Sequence, residues 1–162
     1  RHSFKYYERS QLQSLSLDGK LNEIGRMMAG NLAGAMSGGL VIPVIAVYDQ
    51  KQATGRIFFY DAAGARFENL EYAAAGSGSV QIRGAFEYIV RTKGNFSEMT
   101  LETALAEALH LLEIAADLDS ATGGAGKVLP LARTVTAAGV TEISDDAIRV
   151  ALGASTTTAT SI

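Results

Sequence analysis

The chain has 162 residues, of which 48% are hydrophobic and 19% charged, and its formal net charge is −3. This balance favours a folded domain with a sizeable core and argues against nucleic acid or an anionic membrane as a partner. There is no cysteine, which excludes disulfides, thiolate catalysis and cysteine-ligated zinc. The longest apolar run, residues 40–47, is too short for a membrane-spanning helix. No signal peptide is recognisable, so a cytoplasmic protein is expected.

The first part of the chain is predicted to be helical. Residues 2–13 are predicted to form the last turns of a helix, and the chain opens inside it without a cap or an initiator Met, so we expect an upstream segment in the intact polypeptide. A second helix is predicted over residues 18–36, with Ser16 as its N-cap. This helix carries Gly25, Gly30 and Gly34, which lower helix propensity and indicate that a neighbouring element approaches it closely.

Antiparallel strands are predicted next, followed by further helices and a hairpin. Strands are expected over residues 40–49, 55–61 and 65–72, with Pro43 marking an edge or bulge. Helices are predicted over residues 80–90, 100–118 and 145–152, a hairpin over 128–143, Ser144 as the last N-cap and Gly153 past the final helix. We therefore expect a single domain over residues 1–153 and a flexible tail over 154–162.

The order of these elements predicts the fold class. Helices come in pairs and strands in antiparallel sets, which is typical of an α+β protein with sheets inside and helices outside. A doubly wound parallel sheet would instead alternate strand and helix.

One carboxylate stands out at the end of the long helix. Apolar residues recur there at helical spacing and end on it: Leu101, Leu105, Leu109, Leu112, Ala116 and Asp119. This spacing predicts that Asp119 points toward the core, where a carboxylate needs partners because an unpaired buried charge is costly.

Nucleotide and metal sites find little support. The stretch GSGSVQIRG (76–84) departs from the dinucleotide-binding pattern at Gln81, and ATGGAGKV (121–128) departs from a phosphate-binding loop at Ala121 and Val128. Of the two histidines, His2 lies in the N-terminal segment and His110 lies off the apolar stripe of its helix, so both are expected at the surface and neither a histidine triad nor a metal site is expected.

Three polar residues remain as candidates for a site. Ser77 follows Gly76 in GSGS, and Asp119 and Thr122 belong to DSATGG (119–124). Structural roles are available for each, because Ser77 could satisfy a turn and the other two could cap the end of a helix.

Six sequence motifs, in this order, resemble those of a known family. They are YYERSQLQSLSLDGKL (6–21), GNLAGAM (30–36), VYD (47–49), GRIFFYDAAG (55–64), AAAGSGS (73–79) and AADLDSATGG (115–124). Over roughly residues 5–152 the chain resembles the later two-thirds of a bacterial 20S proteasome β-subunit, a threonine peptidase of the N-terminal-nucleophile class. The resemblance implies a four-layer αββα sandwich, incomplete at its N-terminus.

The resemblance also implies a catalytic arrangement. In the family an N-terminal threonine hydroxyl is the nucleophile, its own α-amino group moves protons, and a carboxylate and a lysine on early strands organise it. The family's later supporting residues fall on Ser77, Asp119 and Thr122. Residue 1 is Arg, so the nucleophile, the early carboxylate and the lysine are expected outside these 162 residues, and the chain by itself is expected to be inactive.

The partners implied by the resemblance are other β-subunits in a seven-membered ring, proteasome α-subunits and unfolded polypeptide substrates inside the barrel. No cofactor or metal is implied. An alternative is a non-catalytic structural subunit that kept the fold and lost the nucleophile, and a small nucleotide-binding protein is a third. A processed N-terminal threonine on the intact polypeptide would favour the peptidase over the structural subunit.

Overall fold

The computed structural model describes residues 2–69 and 71–157, and for residues 154–157 it describes the backbone alone. The chain divides into two compact units, Arg1–Asn69 and Leu70–Ile162. Each unit combines helices with antiparallel strands, which agrees with the predicted α+β class. The four-layer sandwich and the single domain over residues 1–153 stay predictions.

The first unit begins with three helices, α1 (His2–Gln11), α2 (Leu17–Gly30) and α3 (Leu32–Met36). Ser16 caps α2 as predicted, since its hydroxyl accepts a hydrogen bond from the Gly19 amide at 3.0 Å.

The single helix predicted over residues 18–36 is wrong, because it breaks at Asn31. The Asn31 amide donates to the Met28 carbonyl at 3.0 Å, which is the tighter turn of a helix end. Gly30 and Asn31 are both weak helix formers, and together they make this the easiest place to interrupt the helix.

The strands of the first unit form a three-stranded antiparallel meander. They are β1 (Val44–Asp49), β2 (Thr54–Tyr60) and β3 (Arg66–Asn69), with β2 in the centre. The first strand begins later than the predicted residue 40, directly after Pro43. Proline has no N–H for the ladder, but the Pro43 carbonyl still accepts a hydrogen bond from the Tyr60 amide at 3.3 Å.

Helix α2 packs on this sheet. Leu21, Phe58 and Tyr60 are buried together, and the Tyr60 hydroxyl donates to the Leu21 carbonyl at 2.8 Å. The phenol can therefore be fully buried because its polar end is satisfied.

Two glycines let the helix and the sheet approach each other. A Cβ at Gly25 of α2 would lie 2.8 Å from the carbonyl oxygen of Gly64, in the turn between β2 and β3, and a Cβ at Gly64 would overlap the Gly25 carbonyl. Gly64 also has φ +85°, which disfavours other residues. The predicted close approach is thus found at Gly25, whereas a Cβ at Gly30 would have nothing within 4 Å.

Replacing Gly25 by Ala is expected to lower the free energy of unfolding by about 1–3 kcal/mol, because backbone must move to admit the methyl group. Gly30→Ala, in the same helix and facing open space, is the matched control and is expected to be neutral or to stabilise by up to about 1 kcal/mol. Urea unfolding followed by circular dichroism measures both. Equal effects at the two positions would show that the close approach is unimportant.

The second unit is built around a pair of helices, α4 (Ser79–Lys93) and α5 (Leu101–Leu118), joined through a 3₁₀ turn (Phe96–Glu98). Ile82, Phe86 and Ile89 of α4 pack with Leu111 and Ala115 of α5. Helix α4 ends where Gly94 adopts φ +93°. Thr100 caps α5 by accepting a hydrogen bond from the Thr103 amide at 3.2 Å.

The predicted apolar stripe of α5 is wrong in detail. Leu101, at its start, is 59% exposed, while Leu111 and Ala115, both outside the predicted stripe, are buried. The helix packs against both α4 and α6, so it buries more than one face. Apolar spacing alone does not decide which faces find neighbours in a helix this rich in leucine and alanine.

The C-terminal part contains the predicted hairpin, formed by β4 (Arg133–Thr136) and β5 (Gly139–Glu142), and then α6 (Asp145–Thr157). Ser144 caps α6 as predicted, accepting from the Ala147 amide at 3.3 Å. The predicted end at residue 152 is wrong, because the helix continues through Gly153. Gly153 does not adopt the left-handed backbone with which glycine commonly ends a helix, so α6 continues through it. Of the predicted flexible tail, residues 158–162 lie outside the described residues.

Across residues 2–69 and 71–157, no helix is both long enough and apolar enough to cross a bilayer.

Candidate functional site

Ser77 lies in a tight loop just before α4. Gly76 adopts φ +104°, and its carbonyl accepts hydrogen bonds from the Ser79 amide at 3.1 Å and the Ser79 hydroxyl at 2.7 Å. The segment leading to this loop is held by Tyr72, whose ring stacks on Phe86 of α4 with centroids 4.1 Å apart. The loop is therefore fixed at both ends and leaves the Ser77 hydroxyl outside helix α4.

Asp119 lies where α5 ends. Its amide still donates to the Ala115 carbonyl at 2.9 Å, but its own backbone is extended, with φ −129° and ψ 112°. The chain then turns sharply, because the Thr122 amide donates to the Asp119 carbonyl at 3.0 Å and the Ala121 amide to Asp119 Oδ1 at 3.4 Å. This turn brings Thr122 back beside the aspartate side chain.

The structure brings all three predicted residues together. Ser77 Oγ donates to Asp119 Oδ2 at 2.5 Å, and Thr122 Oγ1 donates to the same oxygen at 2.6 Å. Ser77 and Asp119 are 42 residues apart in sequence, so this contact is tertiary. The Ser77–Asp119–Thr122 cluster is thus a carboxylate with two hydroxyls on one oxygen.

The structural roles considered for these residues also hold. Asp119 is the C-cap of α5, and its contacts with Ala121 and Thr122 form a local turn. Neither role needs Ser77, which reaches Asp119 from a separate loop. Helix capping and the turn therefore account for Asp119 and Thr122, but they do not explain why the Ser77 hydroxyl contacts Asp119.

Hydrogen bonding stabilises the ionised form of Asp119. The bond from Ser77, the bond from Thr122 and then the Ala121 amide hold the pKa of the carboxyl below its ordinary value, while partial burial opposes them. Each hydroxyl directs its only proton at the carboxylate, so its oxygen lone pairs remain as acceptors. The cluster can therefore accept hydrogen bonds from a cationic or neutral amine.

Small residues allow the two loops to meet. A Cβ at Gly78 would lie 2.7 Å from Thr122 Oγ1, 3.1 Å from the Ala115 Cβ and 3.5 Å from Asp119 Oδ2. A side chain at position 78 would therefore displace either the Thr122 hydroxyl or the Ser77 loop, and both are hydrogen-bonded to Asp119.

A cleft of about 290 Å³ adjoins the cluster on the side of Thr122. Its walls are small and apolar side chains from the loop, α4 and α5, among them Ala73, Ala75, Ile82, Phe86, Leu111 and Ala115. Apolar walls beside a few polar groups are typical of ligand sites.

Other sequence candidates are not part of this cluster. His2 and His110 are exposed. Within the described parts of the chain, no group of three or more His, Asp or Glu side chains could hold a metal ion. The residue whose contribution the sequence did not reveal is Glu113, whose Oε1 accepts a hydrogen bond from the Ala125 amide at 2.7 Å. A glutamate that binds a backbone amide in a turn has no sequence pattern that would identify it.

Replacing Ser77 by Ala is expected to raise the pKa of Asp119, because it removes the largest influence that lowers it. A depressed native pKa contributes stability above the unfolded pKa, and that contribution is lost as the pH falls through the native pKa. The Ser77→Ala protein is therefore expected to lose less stability on acidification than the parent. NMR titration of the Asp119 carboxyl carbon measures the pKa. The control is Ser79→Ala, because the Ser79 hydroxyl donates to the Gly76 carbonyl and not to Asp119. An unchanged Asp119 pKa in Ser77→Ala would contradict this account.

Comparisons with known proteins agree with the motifs. A protein-family model described as "Proteasome subunit" matches residues 1–129. A curated protein named "Proteasome subunit beta" from Streptosporangium roseum is 37% identical over 151 residues, covering 91% of this chain and 52% of the relative. A protein of the same name from Streptomyces griseus subsp. griseus is 40% identical over 144 residues, covering 87% of this chain and 50% of the relative.

The chain thus spans about half the length of these curated relatives. The family model, however, covers most of the 162 residues, including the Ser77–Asp119–Thr122 cluster. The chain therefore belongs to the proteasome subunit family.

Proposed function

We propose that these residues form the later part of a β-type proteasome subunit that works as a threonine-type endopeptidase. The observation that carries the proposal is the convergence of the Ser77 and Thr122 hydroxyls on one oxygen of Asp119. The names of the curated relatives support the β-type assignment. The nucleophilic threonine, the early carboxylate and the lysine belong, in this proposal, to a segment outside residues 1–162.

The chemistry explains why such a cluster is useful. An N-terminal threonine can attack a peptide bond only when its hydroxyl gives up a proton, and its own α-amine is the nearest base. An amine accepts that proton efficiently only if its lone pair is aimed at the hydroxyl. The Ser77 and Thr122 oxygens, polarised by the Asp119 carboxylate, supply acceptors that orient the amine's N–H bonds. The carboxylate also stabilises the ammonium that forms.

Membership in the proteasome subunit family also supports a proposal about assembly. We propose a cytoplasmic particle in which β-subunits form a seven-membered ring stacked with α-subunits, and in which unfolded polypeptides are cleaved inside the barrel. Closed rings are the usual product of head-to-tail interfaces. The expectation that residues 1–162 alone hydrolyse no peptide is part of this proposal.

The test is made on the intact polypeptide that contains these residues. N-terminal sequencing and intact mass are expected to show a processed threonine, and a threonine-directed covalent inhibitor is expected to add to that residue and abolish hydrolysis of a fluorogenic peptide. Light scattering is expected to show a large symmetric particle. A particle without a threonine at any N-terminus would support a non-catalytic subunit instead, and a monomer at micromolar concentration would contradict the assembly.

A further inference from the structure

A second carboxylate on α5 holds the loop that follows the cluster. Glu113 lies less than two helical turns before Asp119, and its Oε1 accepts a hydrogen bond from the Ala125 amide at 2.7 Å. This bond connects the helix to the loop just beyond Thr122. A bond between an ionised carboxylate and a backbone N–H is among the stronger hydrogen bonds in proteins.

The same loop lies flat against α5. A Cβ at Gly124 would be 3.3 Å from the Ala116 Cβ and 3.6 Å from each Glu113 carboxylate oxygen, so the loop backbone packs closely on the helix at this position. Beyond it, the Gly124 carbonyl accepts from the Lys127 amide at 3.0 Å, which closes a turn. The segment that carries Thr122 is therefore tied to α5 at both ends, by Asp119 on one side and by Glu113 on the other.

We propose that Glu113 is a positioning residue for the Ser77–Asp119–Thr122 cluster. It acts by fixing the loop so that the Thr122 hydroxyl stays on Asp119 Oδ2. Two consecutive glycines, Gly123 and Gly124, follow Thr122 and give this loop many accessible conformations. Without the bond to Ala125, the loop would leave the helix and Thr122 would lose its fixed geometry. The catalytic consequence of this role depends on the proposed function.

The kinetic test uses the assembled particle formed by the intact polypeptide, with Glu113→Ala, Glu113→Gln and Asp117→Ala compared. Asp117 is a matched control, because it is an exposed carboxylate on the same helix. Glu113→Ala is expected to lower kcat for a fluorogenic peptide about tenfold with KM nearly unchanged, since small misplacements at a catalytic site cost this much or more. Glu113→Gln keeps an oxygen acceptor and is expected to restore most of the rate, and Asp117→Ala is expected to match the parent.

A structural test needs no activity. Amide hydrogen exchange is expected to be faster at Ala125 and Thr122 in Glu113→Ala, and unchanged at Thr103 near the start of α5. If Glu113→Ala does not assemble, the same exchange and kcat measurements are made on Glu113→Asp. Its shorter side chain keeps the charge but does not reach the Ala125 amide.

The outcomes separate the two proposals. An active parent with unchanged kcat and unchanged exchange in the Glu113 variants would overturn the positioning role and leave the proposed function standing. Loss of rate in Glu113→Ala without rescue by Glu113→Gln would also overturn it, since a charge effect rather than the hydrogen bond would then be responsible. An inactive parent would overturn the proposed function, and the exchange measurement would still decide whether Glu113 holds the loop.

Discussion

On the proposed function, replacing Asp119 by Ala in the assembled particle is expected to lower kcat for a fluorogenic peptide by about 10²–10³-fold, a loss comparable to that from removing one oxyanion-hole donor. Asp119 Oδ2 receives both hydroxyl protons, at 2.5 Å from Ser77 and 2.6 Å from Thr122. Without the carboxylate, the two hydroxyls have no common acceptor. They would rotate, and their oxygens would no longer present a fixed pair of acceptors to an amine.

The nature of the substitution separates charge from geometry. Asp119→Asn keeps one oxygen acceptor but loses the charge, so it is expected to retain more rate than Asp119→Ala and less than the parent. Asp117→Ala removes an exposed carboxylate from α5 and is expected to leave kcat within about twofold of the parent, as is typical of surface changes away from special features. Full activity in Asp119→Ala, with the particle intact, would show that the cluster is only a helix end and a turn.

Replacing Gly78 by Ala is expected to lower kcat by about tenfold or more, since a 1 Å displacement of catalytic groups can cost 10²-fold. The added methyl group would lie 2.7 Å from Thr122 Oγ1 and 3.1 Å from the Ala115 Cβ. Either the Thr122 hydroxyl or the Ser77 loop must move to admit the methyl group, and each of them carries a hydrogen bond to Asp119. Stability is expected to fall by about 1–3 kcal/mol for the same steric reason.

Gly84→Ala is the matched control for this change. Gly84 lies in α4, where a Cβ would have nothing within 4 Å, and alanine is the better helix former. The control is therefore expected to keep full activity and to gain up to about 1 kcal/mol of stability. Hydrolysis kinetics and urea unfolding measure both variants. If Gly78→Ala has parental kcat and an unchanged Asp119 pKa, the close packing at position 78 is not required by the site.

Local signals in the sequence predicted much of the secondary structure correctly. Ser16 and Ser144 precede helices in which the backbone amide three residues on needs an acceptor, and each makes the predicted bond. Thr100 accepts the same bond from the Thr103 amide, although the predicted helix included Thr100. The three-stranded meander and the C-terminal hairpin follow from turn residues between apolar runs. These features are set by interactions over a few residues, so they can be predicted without knowing the fold.

The errors have two sources, which are local helix-ending signals that the pattern weighed wrongly and burial that distant neighbours decide. Asn31 interrupts a helix whose apolar spacing continues, and α6 runs past Gly153, which the sequence pattern treats as a stop. In α5 the apolar spacing favoured a face through Leu112, while packing against α4 and α6 buried Leu111 and Ala115. Which face of a helix is buried depends on the elements that pack against it, and the local spacing of apolar residues does not identify those elements.

In the candidate site, too, the sequence identified the residues and the tertiary structure defined their contacts. The sequence by itself determined which residues have the right chemistry, because the GSGS and DSATGG motifs supply a serine, a carboxylate and a threonine beside glycines that permit tight turns. Only the tertiary structure showed that Ser77 and Thr122 share one oxygen of Asp119, that a Cβ at Gly78 would clash with Thr122, and that Glu113 accepts a hydrogen bond from the Ala125 amide. The Ser77–Asp119 contact joins residues 42 positions apart and is fixed by the packing of α4 on α5, whereas the Glu113–Ala125 bond depends on how the loop folds back on α5.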